Sequence, residues 1–178
     1  MVARSLEEFV DWLPIACRCV SAALMISHGL RPDSDLVFHL LREGASIRFQ
    51  ASKLRQVRPD ERSLSGIFKK AVRAVRRGVT RPASVHSGVM VVKSSADSWL
   101  KGIRGRRLYV SQRGAWLEDV ARHCREIALY LPLVPTWRGF EDLARDLSLE
   151  PVKVSVRQNW TDSLIVIANI VLDKVWLS

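Results

Sequence analysis

The residues with most chemical scope lie in the stretch Leu129–Leu147, "LYLPLVPTWRGFEDLARDL". An apolar run ending at Val134 enters the loop Pro135-Thr136-Trp137-Arg138-Gly139, and an amphipathic helix leaves it. A strand–loop–helix of this kind can hold a cofactor at its turn. Other catalytic patterns are missing from the chain. There is no nucleophile elbow, no Walker loop and no Ser-His-Asp order. The four histidines, His28, His39, His86 and His123, are scattered, and each alone reads as structural. Cys17 and Cys19 form a C-x-C pair without the second pair that zinc sites use. On a helix they point about 200° apart. With Cys124 they read as small buried residues, and no metal is expected.

Charge supplies the second signal. The 178 residues carry 28 Lys+Arg against 18 Asp+Glu, a formal net charge of +10. A basic surface favours polyanions, of which nucleic acid is the commonest. The cations cluster. Lys69, Lys70, Arg73, Arg76, Arg77 and Arg81 form one run without an acid, and Lys101, Arg104, Arg106, Arg107 and Arg113 form another. Two readings stand: a phosphate-binding stripe, or an ordinary solvated face.

The elements that position these residues follow from periodicity. Ser5 and Glu8 have capping-box spacing at a first short helix. A second helix starts at Pro14 and is expected to run to a stop at Gly29, with apolar positions 15, 19, 22, 23 and 26 on one face and Arg18 off it. Strands are expected at Leu36–Leu41 and Ser46–Gln50 around a turn at Glu43-Gly44. "PDERSLSGIFKKAVRAVRRG" reads as a capped helix that buries Leu64, Ile67, Phe68, Ala71, Val72 and Val75. Then come the strand "SGVMVVK", the short helix "SADSWLKGI", the strand "RRLYVSQ" and a turn at Gly114. The helix "WLEDVARHCREIA", strand "LYLPLV", helix "GFEDLARDL", strand "VKVSV" and helix "TDSLIVIANIVLDKVW" complete the chain. Alternating strands and helices predict an α/β fold with a mostly parallel sheet flanked by helices. No repeat or linker appears, so residues 1–178 are expected to form a single domain. No apolar run reaches the roughly 20 residues of a membrane span, and the acidic "MVARSLEEF" start is unlike a signal peptide. A soluble, cytoplasmic protein without a membrane partner is expected.

Two further segments carry a resemblance. Arg18-Cys19-Val20-Ser21 leads to Ser27-His28-Gly29-Leu30-Arg31-Pro32-Asp33, and Pro59-Asp60-Glu61-Arg62 precedes Ile67-Phe68-Lys69-Lys70. The chain closes on Val171-Leu172-Asp173-Lys174. In this order the blocks resemble the archaeal tRNA pseudouridine N1-methyltransferases, the TrmY-type branch of the SPOUT superfamily. The resemblance implies a SPOUT-like fold with a C-terminal trefoil knot, a homodimer, and S-adenosylmethionine bound in the knot. It implies N1-methylation of pseudouridine in the T-loop of tRNA, or binding of another structured RNA. By resemblance Arg18, Asp60 and Arg62 are candidate reactive or RNA-facing residues. An equal alternative is that Asp60-Glu61-Arg62 only caps its helix. Arg31 joins Lys69, Lys70, Arg73, Arg76, Arg77, Arg104, Arg106 and Arg107 as candidate RNA contacts.

The cofactor segments depart from the family. Where the family has Gly-Asp-His-x-Gly followed by acidic residues, this chain has Pro135, Thr136, Trp137, Arg138 and Gly139, and Gly139 with Glu141-Asp142 keeps the tail of that pattern. Proline gives up both the conformational freedom of glycine and an N–H donor. The last knot loop keeps Ser155 but has Val156 and Arg157 for an apolar, proline-shaped turn. The family's first strand is expected to be missing, because a helix begins so close to Met1. Val134, Pro135, Trp137, Gly139, Val154 and Ser155 are the candidate cofactor contacts. Trp137 either stacks on an adenine or base or covers the knot as a core aromatic. The first expectation is therefore an S-adenosylmethionine-dependent RNA methyltransferase. The alternative is a catalytically inactive RNA-binding dimer with a degenerate cofactor pocket, and a third reading is a fold-only relative used in protein assembly.

Overall fold

The computed structural model describes residues 1–27, 29–157 and 159–177. They form two compact units, Met1–Ala96 and Asp97–Ser178. The first holds a sheet of β1 (Val2–Ala3), β4 (Asp35–Leu40), β5 (Ala45–Gln50), β7 (Val89–Lys93) and β6 (Ala83–His86), in that spatial order. Only β1–β4 is parallel, while β4–β5, β5–β7 and β6–β7 are antiparallel. Helices α1 (Leu6–Asp11), α2 (Leu13–Leu24) and α3 (Glu61–Arg76) supply the apolar side chains that meet this sheet. Phe9 of α1, Phe38 of β4, Phe49 of β5 and Phe68 of α3 pack as a four-ring cluster, with centroid separations from 5.2 to 6.2 Å. All four rings are at most 1% exposed. Edge-on ring pairs of this kind add about 0.5–1.5 kcal/mol each beyond area burial.

The second unit is the parallel part of the α/β fold. Its sheet runs β10 (Glu150–Lys153), β8 (Arg106–Trp116), β9 (Ile127–Tyr130), both pairs parallel. After α4 (Ala96–Lys101), connections run through α5 (Leu117–Ala121) and α6 (Phe140–Asp146), and α7 (Thr161–Trp176) closes the unit. Leu108, Leu117, Val120, Val152, Val154 and Ala168 form its buried centre.

Several sequence expectations change. A first strand does exist: β1 is two residues long and pairs with His39 and Leu40 of β4. Its shortness hid it, since two residues show no alternation. Helix α2 ends at Leu24, and Met25-Ile26 (β2) pairs with Gly29-Leu30 (β3) in a small hairpin. The buried side of α2 is therefore Ile15, Ala16, Cys17, Cys19, Val20 and Leu24, and Ile26 is exposed. Arg18 is off that face, as expected. His28 of the Ser27–Asp33 motif lies outside the described residues. The expected helix from Trp116 shrinks to the five residues of α5, and β6 was not expected at all. The capping box is partial: Glu8 N–H donates to Ser5 Oγ, but the Glu8 carboxylate reaches back to Arg4 N–H rather than to Ser5.

His39 is 3% exposed, with Nδ1 2.8 Å from Ser46 Oγ. The Ser46 hydroxyl itself donates to Ser94 O at 3.1 Å, so Ser46 accepts from Nδ1–H. Burial holds the His39 pKa down to about 3, from an ordinary 6.5. The unfolded chain binds this proton below pH 6.5 and the folded chain does not. The stability His39 secures is complete above pH 6.5 and is lost between pH 6.5 and 3, at roughly 1.4 kcal/mol per pH unit for one proton. His39→Asn is expected to remove that component from urea unfolding curves measured across this window. A wild-type and variant difference that does not change with pH would show that His39 does not titrate this way.

Candidate functional site

In the parallel order β10-β8-β9 the first strand of the unit lies between the two that follow it, so the strand order reverses at β8. Ligands of open parallel sheets sit at the carboxyl ends of the strands at such a reversal. The structure has a cavity there, with a volume of about 630 Å³, within the roughly 300–1,000 Å³ of small-molecule sites. Three segments contribute to its lining: Val110–Arg113 of β8, residues after β9 that include Pro135, Trp137 and Glu141, and residues after β10 that include Arg157, Asn159 and Leu164.

The first segment is there because β8 bulges. Tyr109 pairs with Pro151 and Ala115 with Val152, so Val110–Gly114 intervenes between partners that are adjacent on β10. The expected turn at Gly114 is thus a bulge inside one long strand. Gly114 has φ +143, and a Cβ there would lie 2.4 Å from Pro151 O. Only glycine fits that backbone and that approach. The bulge carries Ser111 to the cavity wall, where its Oγ donates to Glu141 Oε1 at 3.3 Å and accepts from Arg113 N–H at 3.1 Å. Ser111 is buried and Glu141 is exposed, in the first turn of α6.

The second segment is the loop in question. Trp137 N–H donates to Val134 O and Phe140 N–H to Trp137 O, winding Pro135–Gly139 into two tight turns. Pro135 and Trp137 line the cavity. The indole is half-buried, tilted against Phe140 with centroids 5.8 Å apart. It is neither a free stacking platform nor a fully buried core ring. Gly139 has an ordinary φ of −82, but a Cβ there would meet Trp137 Nε1 at 3.1 Å. Its small size makes room for the indole. Val134 is 7% exposed and Val154 5%, and both pack inward instead of lining the cavity. Ser155 shapes the third segment, accepting from Arg157 N–H at 3.2 Å and Asn159 Nδ2 at 2.9 Å. The buried Thr161 hydroxyl donates to Pro132 O at 2.9 Å, tying the start of α7 to the second segment.

Sequence reasoning thus found Pro135 and Trp137 but missed Ser111, Glu141 and Asn159 as wall residues. A register shift has no periodic signature, so Ser111 had no readable signal. Glu141 had one, as the acid that follows Gly139 in the loop motif.

Most of the other candidates lie in the first unit. Ser21 Oγ of α2 donates to Pro59 O at 3.2 Å, and Cys17 Sγ is 3.7 Å from Ser65 Oγ. The Arg18–Ser21 block and the Pro59–Arg62 block are therefore neighbours. Asp60 caps α3, accepting from Ser63 N–H at 2.8 Å. Arg18 and Arg62 are exposed, and Arg31 N–H donates to Leu24 O in the turn that carries β2 and β3. On α3, Lys69, Lys70, Arg73 and Arg76 are exposed opposite the buried stripe, and Arg77 follows as the helix cap. Arg104 and Arg107 are exposed as well, in the second unit. Arg106 is engaged by the carboxylate of Glu150, its Nε 3.1 Å from Oε1. Among the described residues there is no cluster of metal-ligating side chains and no helix long and apolar enough to cross a membrane.

A family model described as "Putative SAM-dependent RNA methyltransferase" matches residues 10–176. The chain belongs to this family. Its relatives include the tRNA (pseudouridine(54)-N(1))-methyltransferases of Halobacterium salinarum, 36% identical over 61% of this chain and 55% of the relative, and of Methanosarcina mazei, 33% identical over 64% and 55%. These matches span about half the length of the relatives. A longer match, to the Methanococcus maripaludis enzyme of the same name, is 27% identical over 92% of this chain and 85% of that one. In fold, the chain is similar to Archaeoglobus fulgidus Nep1 bound to S-adenosylhomocysteine, with a TM-score of 0.66 at 12% identity, covering 96% of this chain and 73% of that one.

Replacing Gly114 with alanine is expected to cost about 1–3 kcal/mol from the backbone conformation, plus the clash with Pro151 O. The check is the urea midpoint, read together with ligand affinity at the cavity. Unchanged stability would show that the bulge does not depend on glycine.

Proposed function

We propose that the protein is an S-adenosylmethionine-dependent methyltransferase that acts on tRNA, on N1 of a pseudouridine. The observation that carries this reading is the cavity at the carboxyl ends of β8, β9 and β10, in a chain whose family and named relatives are methyltransferases. Its residues suit such a donor. Trp137, Phe140 and Leu164 offer aromatic and apolar walls for an adenine, Glu141 with Ser111 suits a ribose diol, and a guanidinium suits a carboxylate. The donor supplies an electrophilic methyl group on a sulfonium. The protein must align the acceptor nitrogen with it and hold the base out of its stack.

Within this reading residues 1–178 work as one SPOUT-type domain with a C-terminal trefoil knot, and Arg18, Arg31 and Arg62 face the RNA. Asp60 acts there by capping α3 and fixing the turn that carries Arg62. The basic side of α3 contacts phosphates. The unit pairs as a homodimer through α7, whose Val166 and Ile170 are 44% and 62% exposed one turn apart. Exposed apolar pairs on an apolar helix suit a protein interface.

The reading is tested by calorimetric titration with S-adenosylhomocysteine and by transfer of labelled methyl to a tRNA transcript containing pseudouridine. Expected are saturable binding and labelled nucleoside. Donor binding without transfer would favour the inactive RNA-binding alternative, and absence of both would remove the methyltransferase reading. For the RNA face, Arg73→Ala/Arg76→Ala/Arg77→Ala is expected to weaken tRNA binding and to flatten the slope of log affinity against log salt by up to about three. An unchanged slope would take α3 out of the RNA surface.

A further inference from the structure

The cavity holds more positive charge than a methyl donor can use. Arg113, Arg138 and Arg157 line it, one from each of the three segments, against the single carboxylate of Glu141. All three are exposed, and none is held in an ion pair among the described residues. S-adenosylmethionine has one carboxylate and, overall, one positive charge more than S-adenosylhomocysteine. A cavity with an excess of two cations opposes that extra charge. The surplus guanidinium groups match a phosphate, which they can bind through paired N–H donors.

Resting on the reading that this cavity takes the donor, we propose that Arg113, Arg138 and Arg157 seat a backbone phosphate of the RNA substrate at the cavity, so that RNA binding and donor binding are coupled. The phosphate cancels the charge that opposes the sulfonium. RNA therefore favours S-adenosylmethionine over S-adenosylhomocysteine, and by linkage S-adenosylmethionine tightens RNA by the factor with which RNA tightens it. The device also discriminates against the spent product: S-adenosylhomocysteine, without the sulfonium charge, gains less from the phosphate.

The test measures the affinities of S-adenosylmethionine, S-adenosylhomocysteine and 5′-methylthioadenosine by calorimetry, with and without saturating tRNA transcript. The proteins are the wild type and Arg113→Gln/Arg138→Gln/Arg157→Gln, with the three single variants as well. The expected result is that tRNA improves the preference for S-adenosylmethionine over S-adenosylhomocysteine by about tenfold in the wild type, by less in each single variant and not at all in the triple variant. A wild-type preference that tRNA does not change, while S-adenosylhomocysteine still binds, would overturn the coupling and leave the donor reading standing. A triple variant that folds by thermal melting and keeps the full shift would overturn the assignment to these arginines. Loss of S-adenosylhomocysteine affinity with 5′-methylthioadenosine spared, and the tRNA effect intact, would assign the arginines to the donor's own carboxylate instead. No binding of any of the three nucleosides by the wild type would overturn the donor reading and the proposal together. In the wild type without RNA, added salt is expected to narrow the preference for S-adenosylhomocysteine by screening, and no salt effect would count against a charge origin.

Discussion

The register break between β8 and β10 is the constraint on which the second unit depends. Up to Tyr109 the two strands run in step, and from Ala115 they run in step again. The backbone between must leave the ladder, and it does so over Gly114, whose missing Cβ lets Pro151 O come close. The displaced segment carries Ser111 into hydrogen bonds with Glu141 and Arg113. It thereby links the central strand to the first turn of α6. Without the bulge, Ser111 and Arg113 would be ordinary residues of a paired strand, and the cavity would lose one of its three walls.

Around that break the loops are held by hydrogen bonds, most of them local. Ser155 gathers Arg157 and Asn159, Thr161 ties α7 to Pro132, and two successive backbone bonds wind the Pro135–Gly139 loop. These bonds compensate for what the loop lacks. A glycine-rich loop cradles a ligand with its own N–H groups, and proline offers none. Here side chains present the chemistry: an indole, a carboxylate and three guanidinium groups on a scaffold of tight turns. The walls of this cavity thus present charge and shape in place of backbone donors.

The first unit shows which parts of a site a linear pattern reveals. The stripe of α3 was legible because apolar residues repeat at helical spacing, and burial of Leu64, Ile67, Phe68, Ala71, Val72 and Val75 leaves the cations outside. The blocks Arg18–Ser21 and Pro59–Arg62 were marked by family resemblance, and only the structure shows, through the hydrogen bond from Ser21 to Pro59 O, that they are neighbours. The end of α2 was not legible. Apolar Met25 and Ile26 continue the helical rhythm, but pairing with Gly29-Leu30 captures them in a hairpin. Pairing across a short hairpin outweighs helical periodicity there.

Local composition and periodicity determined the class of the fold, most of the helices, the basic face of α3 and the position of the loop from Pro135 to Gly139 between a strand and a helix. These properties depend on residues near one another in the chain. The tertiary structure decided the rest. Ser111 came to the cavity because the register of β8 against β10 breaks beside it, Glu141 came there on the first turn of α6, and Val134 and Val154 turned inward. Arg106 was drawn to Glu150, and Arg113, Arg138 and Arg157 were gathered around one space from three separate segments. Coulomb energy depends on distance in space, and the sequence specifies that distance only through the fold.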